Sequence, residues 1–496
     1  MDHSLDVLFI NPGARSSGYQ GTAATLAAVE PPLWIGLLAE NARRKGWRVD
    51  VIDAEALELS PAQAAQRAAA SKPRLVAVVV FGANPSASTQ KMPVAGELCR
   101  QLQSACSDTR TMLAGLHVSA LPQRTMEEEA VDFVCQGEGP FTIHGVLRAL
   151  TGDGDLGAVA GLWHRRDGRI VFNGPAPLID DLDVELPAAA WDLLPMDRYR
   201  AHNWQCFDHI DRRSPYAVIY TSLGCPFRCE FCCINALFGK SGIRYRGMPG
   251  VLAEIDLLVA RYGVRIIKII DELFVLKPQR IEEFCEGLIA RNYDLNIWAY
   301  ARVDTVTPEL LRRLRRAGVR WLAYGFESAS PAVRDGVRKG FDDATVARAI
   351  EWTRQAGIHI IANYIVGLPD DDLQSMRATL DEAKRYHFEF LNLYCAMAYP
   401  GSPLYERALA EGWPLPRTWE GYSQLGVETL PLPTRRLSAG QVLQFRDEAF
   451  REYFSNPAYL RMMSEKFGPA VEAHLRQMLR HKLVRRYGAT QENKAP

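Results

Sequence analysis

The chain has 496 residues, 48 % of them hydrophobic, which is too long for one ordinary core and sets an expectation of two or three domains. Lys plus Arg and Asp plus Glu both number 58, so zero net charge gives no overall electrostatic footprint for nucleic acid or an anionic membrane. The start carries no charged leader, and no stretch approaches the roughly eighteen apolar residues of a membrane span. Ten cysteines, several scattered through apolar segments, fit a reducing cytoplasm better than a disulfide framework.

Residues 5 to 145 alternate short apolar strands with helices. Strands are expected at Val7 to Ile10, Arg48 to Asp53, Leu75 to Phe81, Thr111 to Leu116 and Asp132 to Cys135, with helices through Leu33 to Lys45, Ala62 to Ala70 and Ala95 to Ser104. Strands separated by helices imply a parallel sheet covered on both faces, so 1–150 is read as a doubly wound, Rossmann-like α/β domain. The strand ends carry polar, Gly-rich loops containing Asn11, Asp53, Gly82, Gly115 to His117, and Gly137 with Glu138. Open parallel sheets bind ligands beyond the carboxyl ends of their strands.

Residues 151–215 change character. Short strands at Gly161 to His164 and Arg169 to Phe172, two prolines and the acidic run Asp180 to Glu185 read as a linker with a small hairpin. From Tyr216 the alternation resumes with a longer period. Strands are expected at Ala217 to Ser222, Val264 to Ile270, Leu295 to Ala301, Arg320 to Phe326, His359 to Val366 and Phe388 to Cys395. Six such units over 216–406 make a partial (β/α)6 barrel, with its chemistry at the carboxyl-terminal mouth. The last segment, 407–496, is expected to be a helical region, with a Trp- and Pro-rich crossing (Trp413 to Tyr422), a helical segment from Leu437 to about Tyr487, and a disordered polar tail from Ala489.

The first barrel strand runs into Gly-Cys-Pro-Phe-Arg-Cys-Glu-Phe-Cys, which places Cys225, Cys229 and Cys232 at spacings of four and three. Three thiols can face one metal cluster and leave one iron open, whereas a closed structural site normally takes four protein ligands. A zinc knuckle would need a second cysteine pair, and none follows at that spacing. Cys233 is adjacent but points elsewhere along a short turn, and is not expected to ligate.

This C-x-x-x-C-x-x-C loop after an apolar strand resembles the signature of the radical S-adenosylmethionine (SAM) superfamily. The resemblance implies a 4Fe-4S cluster that holds SAM at its open iron. It also implies SAM contacts from Asp271 or Glu272 at the end of the second barrel strand, from Arg302 after the third, from Glu327 and Ser328 after the fourth, and from Gly367 in Gly-Leu-Pro after the fifth. Which of Asp271 and Glu272 makes the contact is open, and Arg302 has a rim ion pair with Asp304 as its plainer reading. Gly367 is expected to let backbone approach the adenine closely.

A doubly wound domain ahead of such a barrel resembles the cobalamin-binding class of this superfamily, and Glu30-Pro31-Pro32-Leu33-Trp34, Asp53-Ala54-Glu55, Gly115-Leu116-His117 and Gly137-Glu138-Gly139 agree with it. The implied cobalamin contacts are Asn11, Pro32, Asp53, Gly82, Gly115, His117, Gly137 and Glu138. The loop after the first strand, Asn11 to Tyr19, holds no His, so an axial imidazole from it is excluded. A nucleotide-binding alternative would want Gly-x-Gly-x-x-Gly there, and Gly13, Gly18 and Gly21 lack that spacing.

The class implies a cobalamin-dependent radical SAM enzyme, most readily a C-methyltransferase that acts on an unactivated carbon of a small-molecule, lipid or natural-product substrate. An oxidative cyclase or ring-rearranging enzyme is the alternative, and a protein that only senses cobalamin is a further one. An electron donor such as flavodoxin or ferredoxin is the implied partner.

Overall fold

The computed structural model describes residues 4–13, 20, 26–82, 84–106 and 108–488. The expected disordered tail from Ala489 lies outside the described residues. Among those residues, no helix is long and apolar enough to cross a membrane.

The first sheet has seven strands: β1 (Leu5–Asn11), β2 (Val49–Asp53), β3 (Pro73–Val80), β4 (Arg110–Gly115), β5 (Phe133–Cys135), β6 (Leu162–Arg166) and β7 (Arg169–Phe172), in the order β2-β1-β3-β4-β5-β6-β7. The pairs among β1 to β5 are parallel. Near-continuous apolar runs such as Val7 to Ile10 and Leu75 to Val80 form these strands because helices bury both faces. The covering helix Pro61–Ser71 begins at a reciprocal cap between Ser60 and Gln63.

The hairpin expected within the linker is part of this sheet. β6 pairs antiparallel with β5 (Phe133 opposite His164), and Trp163 stacks on Phe172 with ring centroids 4.6 Å apart. Two short strands split by glycines cannot bury a face alone, so they extend an existing edge.

The second sheet holds β8 (Tyr216–Ile219), β11 (Ile266–Ile269), β12 (Asn296–Ala301), β13 (Val319–Glu327), β14 (His359–Val366) and β15 (Phe390–Cys395), in the order β15-β14-β13-β12-β11-β8. All neighbours are parallel, and β8 and β15 remain the two edges of an open barrel. Between β8 and β11, β9 (Ser222–Leu223) pairs antiparallel with β10 (Arg244–Tyr245). This is why the first barrel strand stops at Ile219: the chain turns there to begin the cysteine loop.

The carboxyl-terminal segment is helical as far as Met478. It forms Ala439–Phe454, Pro457–Phe467 and Pro469–Met478, broken where Pro457 and the Gly468-Pro469 pair end each run. Residues 480–488 are irregular and held by Arg485, which donates to Asp447, Thr429 and the carbonyls of Gln424 and Gly426. The helix Ala439–Phe454 packs on edge strand β15, where Arg446 Nε donates to the Leu393 carbonyl at 2.8 Å.

Candidate functional site

β9 and β10 close the neck of a loop that carries all three motif cysteines. Gly224 takes φ +88° where a Cβ would fall 2.5 Å from the Gly242 carbonyl oxygen, so only glycine fits the crossing. The Gly242 N–H donates to the Cys225 carbonyl at 3.0 Å, and the Cys232 N–H to the Cys229 carbonyl at 3.1 Å. Cys225, Cys229 and Cys232 are half-buried and line one cavity of about 760 Å³ at the barrel mouth. Burial pushes each of their thiols up. Cys233 is buried away from that cavity, its thiol pushed up to about 12.

Among the described residues no three His, Cys, Asp or Glu side chains converge as ligands of a single ion would. Three thiols along one cavity wall suit a multi-iron cluster, in which each sulfur takes its own iron, better than a zinc knuckle.

The acidic pair after β11 divides its work. Asp271 is fully buried, and its oxygens accept from the Thr221 N–H, the Thr221 hydroxyl and the Ser222 hydroxyl, each at 2.6 Å. It ties the end of β11 to the start of the cysteine loop and does not face the cavity. Glu272 does face it, accepting only the Gly224 N–H at 3.0 Å, and burial with Asp271 beside it pushes its carboxyl up to about 8. A half-buried carboxyl at the cavity wall with spare acceptor capacity suits an incoming ammonium.

Arg302 lines the cavity and lies 4.0 Å over the Phe227 ring, yet Asp304 occupies its fork with two contacts of 2.9 Å. The expected carboxylate clamp is thus already engaged by a side chain of the protein. Glu327 ends β13 at φ +65°, a costly conformation for a non-glycine residue, and accepts from Lys339 Nζ at 2.7 Å. Both side chains are nearly buried and both line the cavity. Lys339 escaped the sequence reading because the loop after β13 has no periodicity to fix its position.

Two further residues expected to contact SAM are engaged with neighbours in the fold. The Ser328 hydroxyl accepts the Ser330 N–H and pairs with Thr379, which shapes the turn after β13. Gly367 takes φ +81°, and a Cβ there would fall 2.3 Å from Val442 Cγ1. It permits a close approach to helix Ala439–Phe454, and its N–H donates to Asp371 at 3.0 Å.

In the first domain, the strand order 2-1-3-4-5 puts a topological switch point between β1 and β3, where open sheets bind ligands. A crevice of about 90 Å³ lies there, lined by Asn11, Pro32, Gly82, Glu55 and Lys91 and walled by Trp34 stacked on Phe81 at 5.4 Å. Asn11 accepts from Lys91 at 2.9 Å and donates to Asp53 at 2.7 Å. Asp53 is buried beneath the crevice, accepts from the Tyr199 hydroxyl at 2.9 Å, and is pushed up to about 6 by burial and Glu55.

The remaining first-domain candidates hold loops. At Gly115 a Cβ would sit 2.3 Å from the Val80 carbonyl oxygen, and the Gly137 N–H donates to Ser119 at 3.0 Å. His117 lies in the short helix Leu116–Ala120, is buried against Trp419 (centroids 4.6 Å apart) with Nδ1 3.1 Å from the Thr89 hydroxyl, and burial pushes it down to about 3. Glu138 grips Arg244 at 2.7 and 3.0 Å and accepts the Ile179 N–H at 2.8 Å. The imidazole that does line the crevice is His202, stacked on Trp204 at 5.4 Å and contributed from between the sheets, not from the β1 loop.

The crevice and the cysteine-lined cavity share Ala27, Ala87, Gln90, His202 and Ile270, so the two strand-end sites lie on either side of a common wall. A sheet with its ligand site at a switch point, facing an open barrel with a three-cysteine loop at its mouth, defines a two-domain cofactor enzyme. Comparisons with known proteins specify it: residues 19–147 match the B12 binding domain, and residues 219–383 match the Radical SAM superfamily. The chain is a cobalamin-dependent radical SAM enzyme.

It is 27 % identical over 480 residues to an uncharacterised methyltransferase of Pyrococcus horikoshii, covering 96 % of this chain and 98 % of the relative. It is likewise 27 % identical over 383 residues to the anaerobic magnesium-protoporphyrin IX monomethyl ester cyclase of Synechocystis, covering 76 % and 72 %. The hopanoid C-3 methylase of Methylococcus capsulatus is 25 % identical over 409 residues, covering 82 % and 73 %. Among solved structures, the fold matches the radical SAM methyltransferase TsrM of Kitasatospora setae with a TM-score of 0.68 at 17 % identity, over 91 % of this chain and 89 % of that one. It also matches the cobalamin-dependent radical enzyme OxsB with a TM-score of 0.70 at 15 % identity, over 96 % and 72 %.

Proposed function

We propose that this enzyme is a C-methyltransferase that acts on an unactivated carbon of a small molecule bound inside the barrel. The observation that carries the reading is the shared wall between the switch-point crevice and the cysteine-lined cavity: a carbon lodged there is reachable from both sides. When bound, the cluster with SAM supplies a hydrogen-abstracting carbon radical and cobalamin supplies a transferable methyl group.

The protein's own residues bind, orient and exclude water. Cys225, Cys229 and Cys232 would hold the cluster. Glu272 would accept the SAM ammonium, while Lys339, displaced from Glu327, would meet its carboxylate and leave Glu327 for the ribose. Asn11, Pro32 and Gly82 would line the cobalamin site, with Asp53 fixing Asn11 from below. Aromatic side chains line the lumen around Trp298, Tyr300 and Phe390 and would keep a radical from solvent.

The methyltransferase relatives support this reading over its alternative, an oxidative cyclase, which draws support from the Synechocystis relative. The proposal takes with it a one-electron donor such as flavodoxin or ferredoxin and a cytoplasmic setting, because an open iron site needs a reducing environment. The test is S-adenosylhomocysteine formation by the reduced protein, with and without loaded cobalamin. Cobalamin-dependent release of S-adenosylhomocysteine supports methyl transfer; its absence under conditions that yield 5′-deoxyadenosine favours the cyclase.

A further inference from the structure

The cavity does not end at the barrel. Beyond edge strand β15 it continues between helix Ala439–Phe454, the end of helix Pro469–Met478 and the irregular segment that follows, where Arg446, Asp447, Arg451 and Lys482 line it. Charge in this outer end is unbalanced. Asp447 is the carboxylate of this wall and is shared by two guanidinium groups, Arg446 at 2.8 Å and Arg485 at 2.8 and 2.9 Å. Arg451 donates only to main-chain carbonyls, of Leu479 at 3.4 Å and His481 at 3.0 Å, and neither it nor Lys482 has a carboxylate partner among the described residues.

The inner end is different. Its cations each have a carboxylate partner, Lys268 with Glu30 at 2.9 and 3.0 Å, Arg302 with Asp304 at 2.9 Å and Lys339 with Glu327 at 2.7 Å, and Trp298, Tyr300, Phe390 and Tyr394 supply its aromatic wall. The Arg451 guanidinium is half-buried at this outer end, where an unmatched cation favours a counter-charge and its fork suits an oxyanion, while the Lys482 ammonium stands at the exposed rim.

We propose that the outer end of the cavity binds an anionic oxygen group of the substrate, a carboxylate or a phosphate, through Arg451 and Lys482, while the substrate's apolar body lies along β15 toward the cysteines. This rests on the reading of the cavity as the substrate site and adds the substrate class: an apolar-bodied acid. The anion anchors the far end and sets which carbon reaches the mouth.

Equilibrium dialysis of the cluster- and cobalamin-loaded protein against three probes tests this: 1-naphthaleneacetate, 1-naphthyl phosphate and the neutral 1-naphthalenemethanol. An anionic probe is expected to bind at least about tenfold tighter than the alcohol, the worth of one partly buried charge-assisted contact, and the better anion names the group. Lys482→Gln and Arg451→Gln should each erase most of that preference and leave the alcohol's affinity unchanged. Lys482 is exposed and unpaired, so its variant folds even if loss of the Arg451 contacts disturbs the helix ends. Equal binding of all three probes, or a preference that survives both variants, overturns the proposal. Dialysis reads no methyl transfer, so this outcome is independent of whether the enzyme is a methyltransferase or a cyclase.

Discussion

Glu138, on the loop after β5, holds Arg244 of β10 in a two-point ion pair of 2.7 and 3.0 Å, so the first sheet is bolted directly to the neck of the cysteine loop. The Gly-Glu-Gly wording that resembles a cofactor loop acts here as a clamp between domains. The Glu138 side chain is 3 % exposed and that of Arg244 19 %, so breaking the pair strands a charge where water hardly reaches. Glu138→Ala is expected to cost about 3 kcal/mol in chemical denaturation. The double variant with Arg244→Met should recover part of that loss, and an additive double variant would remove the clamp from the account.

Cys225→Ala, Cys229→Ala and Cys232→Ala should each lose the iron cluster and all SAM cleavage. Cys233→Ala should keep both, since that thiol is buried away from the cavity. Iron analysis and 5′-deoxyadenosine yield read the difference, and cluster loss confined to the Cys233 variant would reverse the assignment.

Gly367→Ala combines an unfavourable φ of +81° with a Cβ 2.3 Å from Val442 Cγ1. A cost of about 3 kcal/mol is expected from backbone strain and overpacking together. Adding Val442→Ala relieves the overlap and should restore a part, though not the strain. If Gly367→Ala instead weakens SAM binding at unchanged stability, the glycine serves the ligand and not the helix.

Burial raises the Asp53 carboxyl to about 6 from an ordinary value of 3.8. A folded-state value above the unfolded one means that the folded protein holds this proton more tightly. Its stabilising contribution is complete below pH of about 4 and is lost as pH rises through 6. The stability of wild type relative to Asp53→Asn should therefore fall across that window. A difference that rises with pH would show that Asn11 and Tyr199 stabilise the carboxylate more than burial penalises it.

The two sheets and the cysteine loop were legible in the sequence because each rests on a local signal: apolar strand runs, helix periodicity and fixed cysteine spacing. The side chains at the strand ends were not, because a strand-end residue has two directions open to it and tertiary contacts choose between them. Asp271 turns back to cap β8 while its neighbour Glu272 turns to the cavity. Ser328 and Gly367 serve the Thr379 and Val442 contacts, which come from 51 residues away in one case and from the carboxyl-terminal helices in the other. Lys339 was missed for the complementary reason, since it reaches Glu327 from a loop whose path no pattern encodes.

The central claim, methyl transfer from SAM to a carbon, is tested most directly with SAM labelled in its methyl group, reductant, the loaded enzyme and its small-molecule substrate. The account predicts label in the product, with S-adenosylhomocysteine and 5′-deoxyadenosine formed in comparable amounts. Product formed together with 5′-deoxyadenosine, but without label and without S-adenosylhomocysteine, would contradict it and identify a cyclase.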